Sequence, residues 1–323
     1  MRRVRIGLLG CGTVGSGFVR LLESERARIA ARYGLTLDIE RILVRDPLRE
    51  RHGVARHLLT TAPLDVVDGQ CDLVVELIGG THTAGTLVRR ALGSGVPVVT
   101  ANKALLAASG QELFASAHQR GVELGFEASV CGGVPVIGAL RRGLAGDSIE
   151  SIRGILNGTS NYVLCRMEEG LSLADAVLCA QERGFAEADP TLDLEGTDAA
   201  QKLAILAQLA FEEPIRRVTV HGVTTVDRTE IQRACARGDA VRLVAEARRV
   251  PGGIELEVAP RLLQARDPLA GVRDEQNAVI VRGRAVGEIT LSGKGAGSMP
   301  TAAAVLSDVI AITTSREGWR MVA

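Results

Sequence analysis

Asp198 and Lys202 stand four residues apart in an Ala- and Leu-rich stretch, Thr197 to Leu209, whose apolar spacing predicts a helix. At that spacing the carboxylate and the amine share one helical face. Alone, such a pair is an ordinary helical ion pair. Three features argue for more. The chain has 38 basic residues, yet its only lysines are Lys103, Lys202 and Lys294. The rest of the predicted helix is apolar, and a cluster of carboxylates that includes Glu187, Asp193 and Glu195 precedes it on a loop. Arginine keeps its proton at any useful pH, whereas lysine can release one and take it back, so lysine suits a site of proton transfer.

A second chemical pattern lies at the amino terminus. Gly10-Cys11-Gly12-Thr13-Val14-Gly15 follows an apolar strand, Val4 to Leu9, and opens a helix running towards Arg32. In that context a GxGxxG turn binds a dinucleotide. Gly10 allows the tight turn, Gly12 lets the backbone approach a pyrophosphate, and Gly15 lets helix and strand pack closely. The helix N-terminus offers unpaired N–H groups and a positive dipole end. The second strand, Leu37 to Val44, leads into Arg45-Asp46. An arginine there accommodates the extra phosphate of NADP, while Asp46 leaves NAD open. In so arginine-rich a chain, Arg45 as a plain surface residue is the competing reading.

The elements that must hold these groups follow an α/β rhythm. Apolar runs at Asp72 to Ile78, Val96 to Thr100 and Val122 to Phe126 alternate with helical patterns, one of them over Thr86 to Leu92. That predicts an N-terminal Rossmann-type parallel sheet over residues 1–130, covered by helices on both faces. Small residues around Ser129 to Pro135 mark a boundary. Residues 131–300 read as a second, α+β domain. It has a helix over Val136 to Leu144, a strand over Ile149 to Ile155, a turn at Asn157-Gly158 and a helix from Ser160. Further strands are expected over Ile215 to Val226, Ile254 to Val258, Ala278 to Arg282 and Gly287 to Leu291. The apolar tail, Thr301 to Ile312, is expected as a helix docked on other structure.

Composition excludes several classes. The 323 residues suggest about two domains at roughly 150 residues each. Acidic and basic residues balance to zero net charge, and aromatics are only 2%, which argues against a nucleic-acid partner. No apolar run approaches the roughly 18 residues of a membrane span. The six cysteines form no C-x-x-C pair and read as buried thiols in a reduced, cytoplasmic protein.

Beyond GCGTVG and the aspartate–lysine pair, the chain carries ELIGG at Glu76 to Gly80, VVTANKALLA at Val98 to Ala107 and EASVCGGVPV at Glu127 to Val136. SIRGILNGTSNY at Ser151 to Tyr162, GFAEADPTLDLEGTDAAQK at Gly184 to Lys202, DPLAGV at Asp267 to Val272 and GKGAGSMPTAAAVLSDVI at Gly293 to Ile310 complete the set. In this order, over nearly the whole chain, the sequence closely resembles the homoserine dehydrogenase family.

The resemblance implies reversible oxidation of L-homoserine to L-aspartate 4-semialdehyde with NAD(P), on the route to threonine and methionine. It makes Lys202 the proton donor and acceptor at the C4 oxygen, Asp198 the group orienting it, and Lys103 a second basic group beside nicotinamide and substrate. Glu187 would bind the substrate ammonium and Gly158-Thr159 line the pocket; Asp193 and Glu195 either share Glu187's task or stand solvated. Gly10, Gly12, Thr13, Val14, Gly15, Arg45, Thr100, Lys103 and Gly295 would hold the cofactor. A monovalent cation such as Na+ would sit on Glu127, Val130, Gly132 and Val134, largely through carbonyls. The resemblance also makes residues 131–300 the catalytic and dimerisation domain of a homodimer, and implies a C-terminal helix, within residues 301–323, packed on the first domain. Two lysines placed side by side would lower the pKa of one, with Asp198 opposing that shift.

Some positions depart from the family pattern: Lys294 inside the GxGAG turn, Thr81-His82-Thr83 after ELIGG, and Cys131 in the cation loop. The chain ends soon after its last helix, which predicts a short form without a regulatory ACT domain and weak threonine inhibition. Two alternatives remain at this level: a dehydrogenase for another amino-acid aldehyde, and a silent NADP-binding regulator. Retention of Lys103, Asp198 and Lys202 together argues against the second, since binding alone needs no proton shuttle.

Overall fold

Uniformly apolar strands can be satisfied only when both faces of their sheet are covered. The computed structural model describes residues 1–51, 53–68, 71–211 and 213–314. It divides into two units, Met1–Ser129 with Gly297–Ala323, and Val130–Ala296. In the first, β1 (Arg2–Leu9), α1 (Thr13–Tyr33), β2 (Leu35–Leu43), β3 (Leu59–Thr60), α2 (Leu64–Val67), β4 (Leu73–Glu76), α3 (His82–Gly93), β5 (Val98–Thr100), α4 (Lys103–Gln119) and β6 (Leu124–Gly125) follow in order. The strands form one parallel sheet, β3-β2-β1-β4-β5-β6. Strand order reverses between β1 and β4, and ligands of such sheets bind at the carboxyl ends beside that reversal. Val4, Ile6, Leu8, Leu73, Val75 and Val99 join one buried cluster with residues of α1.

Several strands are shorter than the sequence suggests. The run expected to Ile78 stops at Glu76, because Gly79 and Gly80 turn the chain with φ of 77° and 71°. The two-residue β3 and the single-turn α2 carry too little pattern to be read from sequence.

The second unit begins with α5 (Val136–Gly138), one α turn that widens into a π turn over Ala139–Gly143 rather than the continuous helix expected there. β7 (Ile149–Ile155), α6 (Gly158–Glu168), α7 (Leu173–Glu182), α8 (Thr191–Leu194) and α9 (Thr197–Ala210) come next. β8 (Ile215–Val220), α10 (Arg228–Ala236), β9 (Ala240–Val250), β10 (Gly253–Leu263), β11 (Gln276–Gly283) and β12 (Gly287–Lys294) complete it. The sheet order is β12-β11-β7-β9-β10-β8, antiparallel except where β8 runs parallel to β10. The expected strand over Ile215 to Val226 ends at Val220 and gives way to a 3-10 turn. β9, α7 and α10 were not anticipated. β9 hides behind its arginines, one of which, Arg242, is fully buried.

The chain then re-enters the first unit as α11 (Ser298–Thr314), whose apolar face packs on α1. Ser298 Oγ donates to the Thr13 carbonyl at 2.7 Å, tying the start of α11 to the start of α1. The tail beyond Thr314 lies outside the described residues. Among the described residues, no helix is long and apolar enough to cross a membrane.

Candidate active site

A left-handed residue, Gly196 at φ 83°, turns α8 into α9 and sets Asp198 in the first turn of α9. The positive end of the helix dipole favours a carboxylate there. One turn on, Lys202 Nζ lies 2.7 Å from Asp198 Oδ2 and donates to the Leu156 carbonyl at 2.8 Å. The Lys202 side chain is only 13% exposed and that of Asp198 9%, which separates this pair from the solvated helical kind.

Leu156 follows β7, and Asn157 caps α6 by accepting from the Ser160 N–H at 2.8 Å. Asn157 Nδ2 donates to Asp193 Oδ1 at 2.6 Å and to Asp198 Oδ2 at 2.8 Å. One amide group therefore joins α6, α8 and α9 at the aspartate–lysine pair. Thr159 donates to the Phe185 carbonyl at 2.6 Å and steadies the loop that carries Glu187. Glu187 is exposed, and its main-chain carbonyl accepts from Gln181 Nε2 at 3.0 Å. Gly158 opens α6 beside these groups.

The electrostatics differ from the expected lowering of a lysine pKa. Burial pushes the Lys202 amine towards neutrality, but the charge and hydrogen bond of Asp198 outweigh it, with Cys131 and Asp193 adding to the effect. The ammonium is held above the usual lysine range. The Asp193 carboxyl is raised, chiefly by burial and further by Asp198, while the Asn157 amide works against the shift.

In the first unit, Gly10 has a φ of 97°, and a Cβ on Gly15 would fall 2.4 Å from the Gly10 carbonyl oxygen. Both positions therefore demand glycine. A Cβ on Gly12 would meet nothing within 4 Å, so the turn has open ground beside it. No side chain caps α1 and no acidic residue sits in its first turn, at Thr13 and Val14. That leaves its N-terminus suited to an anion, and the residues fit a dinucleotide pyrophosphate. Arg45 is exposed just past β2. No sequence signal marks Arg51, which donates through Nε to the Cys11 carbonyl at 3.3 Å and through Nη1 to the carbonyls of Asp46 and Arg49.

Thr100 ends β5 fully buried, its hydroxyl donating to Glu76 Oε2 at 2.5 Å, so that hydroxyl is already committed within the protein. Lys103, half-buried, is the first residue of α4, which Asn102 caps by accepting from the Leu105 N–H at 3.0 Å.

Glu127 is buried in the first unit, where its N–H donates to Asp308 Oδ2 at 2.8 Å. In the second, Cys131 adopts φ 54°, a left-handed conformation that costs a non-glycine residue about 1–2 kcal/mol. Its sulfur accepts from Asn277 Nδ2 at 3.4 Å. Val130 and Val134 are fully buried, and the Val134 carbonyl accepts from the Val136 N–H at 2.8 Å. Gly132 lies against Gly295, which is buried next to Asn277. Among the described residues no group of three or more His, Cys, Asp or Glu could hold a metal ion. The Lys294 and His82 side chains are exposed.

Comparison with known proteins gives two family matches, one of them running from the second unit into α11. Residues 135–310 match the homoserine dehydrogenase family, and residues 10–127 match the family's NAD binding domain. The chain belongs to the homoserine dehydrogenase family. A homoserine dehydrogenase of Bacillus subtilis is 43% identical over 317 residues, covering 97% of this chain and 73% of that protein. The crystal structure of a homoserine dehydrogenase from Thiobacillus denitrificans superposes with a TM-score of 0.92 at 44% identity, covering 98% of this chain and 74% of that one. A hyperthermophilic archaeal homoserine dehydrogenase solved with NADPH gives 0.84 at 29% identity, covering 99% of this chain and all of that one.

For this homoserine dehydrogenase family member, sequence reading missed Asn157 as part of the site. Asn157-Gly158 reads as a turn, yet an asparagine three residues before Ser160 is also a helix N-cap signal. The Leu156 carbonyl left no sequence signal, because any residue supplies one.

Proposed function

We propose that the chain interconverts L-homoserine and L-aspartate 4-semialdehyde with NAD(P), and that Lys202 moves the proton at the C4 oxygen. The observation that carries the assignment of the proton is the sheltered Asp198–Lys202 pair, seated on Leu156 and Asn157. NAD(P) held on the glycine turn would supply the hydride chemistry at C4 of the substrate. In reduction, the Lys202 ammonium releases a proton to the oxygen as its negative charge develops. In oxidation, neutral Lys202 takes the hydroxyl proton. Asp198 orients the amine throughout and holds its charged form. Glu187 offers a carboxylate to the substrate ammonium, with Asp193 close to the pair on its Asn157 tether. Lys103 is the second basic group of the reaction, and Gly158-Thr159 shape the pocket.

Gly10, Gly12, Thr13, Val14 and Gly15 receive the pyrophosphate, with Thr100, Lys103 and Gly295 completing the cofactor site. NADP is the cofactor this reading favours. Arg45 is open to solvent just past β2, the position from which an arginine accommodates a ribose phosphate in this fold, and Arg51 adds positive charge at the same turn. Asp46, the residue that would favour NAD, spends Oδ1 on the Leu48 N–H at 2.8 Å. The archaeal relative solved with NADPH supports the same choice. A monovalent cation on Glu127, Val130, Gly132 and Val134, a homodimer and a cytoplasmic location belong to this reading through the family resemblance.

The test is an assay of reduced nicotinamide formed from homoserine with NADP or NAD, run on wild type and Lys202→Ala. Wild type oxidises homoserine, and the variant loses two or more orders of magnitude in turnover with NADP binding intact. Near-normal turnover by the variant removes Lys202 from the mechanism. Turnover of a different amino-acid aldehyde in preference to the semialdehyde replaces the substrate.

A further inference from the structure

Glu76 is a carboxylate at the end of β4 with no exposed surface. Burying such a group is costly unless its oxygens are satisfied by hydrogen bonds, and an apolar residue would fill the same space at lower cost. Here both oxygens are satisfied. Oε1 accepts from the N–H groups of Ile78 at 2.8 Å and Gly79 at 3.0 Å. Oε2 accepts from the Thr100 hydroxyl at 2.5 Å. That hydroxyl oxygen accepts in turn from the Asn102 N–H at 3.0 Å. Asn102 closes the circuit, donating from Nδ2 to the Gly80 carbonyl at 2.6 Å while its Oδ1 caps α4.

The circuit runs from the end of β4 through the Ile78–Gly80 turn to Asn102, and back through Thr100 at the end of β5. Both strand ends lie on the carboxyl edge of the sheet, where ligands of this fold bind. The residue immediately after the circuit is Lys103. We propose that Glu76 is a positioning residue for Lys103: its buried carboxylate locks Thr100 and Asn102 so that α4 presents that amine in one place. The proposal rests on reading Lys103 as a group of the reaction.

The three lysines make a direct test available, since lysine labelled with carbon-13 at Cε gives one signal each for Lys103, Lys202 and Lys294. Glu76→Gln keeps the size of the side chain but not its charge, and Thr100→Val removes the hydroxyl at the far side of the circuit. In each variant kcat falls about ten- to a hundredfold, as a small misplacement of a reacting group does. In Glu76→Gln, which touches no group assigned to the cofactor, NADP binding stays within about twofold, a change of only a few tenths of a kcal/mol. The Lys103 signal moves while those of Lys202 and Lys294 stay. Wild-type kcat in both variants, an unmoved Lys103 signal, or shifts of all three signals together with a lower unfolding midpoint each overturn the proposal. Lys103→Ala is the control. If it retains full turnover, the reading of Lys103 itself fails; if it is inactive while Glu76→Gln is normal, only the positioning role fails.

Discussion

An amine 2.7 Å from a buried carboxylate gives up its proton reluctantly, and that sets a direction for each half of the reaction. With Lys202 as the proposed proton carrier, semialdehyde reduction needs the ammonium, which Asp198 holds above the usual lysine range. Its rate is therefore flat up to that range as far as Lys202 is concerned. Homoserine oxidation needs the neutral amine, whose population grows about tenfold per pH unit below the pKa. The oxidation rate accordingly rises with pH. Asp198→Asn removes the anion that stabilises the ammonium, so the rising limb moves to lower pH while maximal kcat drops. A pH profile of homoserine oxidation on both proteins checks this, and an unmoved limb would show that Asp198 does not govern the amine.

At the scale of elements, α6 and β9 carry the arrangement. Asn157→Ala removes a helix cap, about 1 kcal/mol of stability, and also leaves Asp193 and Asp198 without their shared donor. Asn157→Ser keeps a capping oxygen but no amide, so it restores most of the stability and little of the activity. Thermal unfolding measured beside kcat separates the two effects. On β9, buried Arg242 pairs with Glu168 of α6 and donates to the Ala270 and Val272 carbonyls. Arg242→Met leaves Glu168 with the half-exposed Arg273 at 3.2 Å in place of its buried partner, and lowers stability by up to about 3 kcal/mol in denaturant unfolding. These two residues also show where sequence reading stops. GxGxxG and D-x-x-x-K are local, so their glycine and i,i+4 logic is visible in a few letters. Asn157 acts on a carboxylate 41 residues away, and no local period records that. β9 escapes notice because Arg242 occupies an inward position that pattern reading reserves for apolar residues.

Across the whole molecule, the legible features were the alternating α/β rhythm of the first unit and the near-neutral charge. The mixed sheet of the second unit was legible only in part, since the pairing of β7 with β9 and β11 joins segments far apart in the chain. Cofactor choice also belongs to this scale, because it depends on a charge carried outside the glycine turn. Arg45→Ala raises KM for NADP about tenfold and leaves that for NAD unchanged, as loss of a contact to a phosphate should. Parallel kinetics with the two cofactors check it, and equal effects on both would make Arg45 a surface residue. The identity of the proton carrier is tested most directly by semialdehyde reduction with NADPH on Lys202→Ala, with and without added ethylamine. Turnover should fall by two or more orders of magnitude and return in part as the small amine, itself a proton donor, takes the vacated place. Turnover close to wild type without any amine would contradict it.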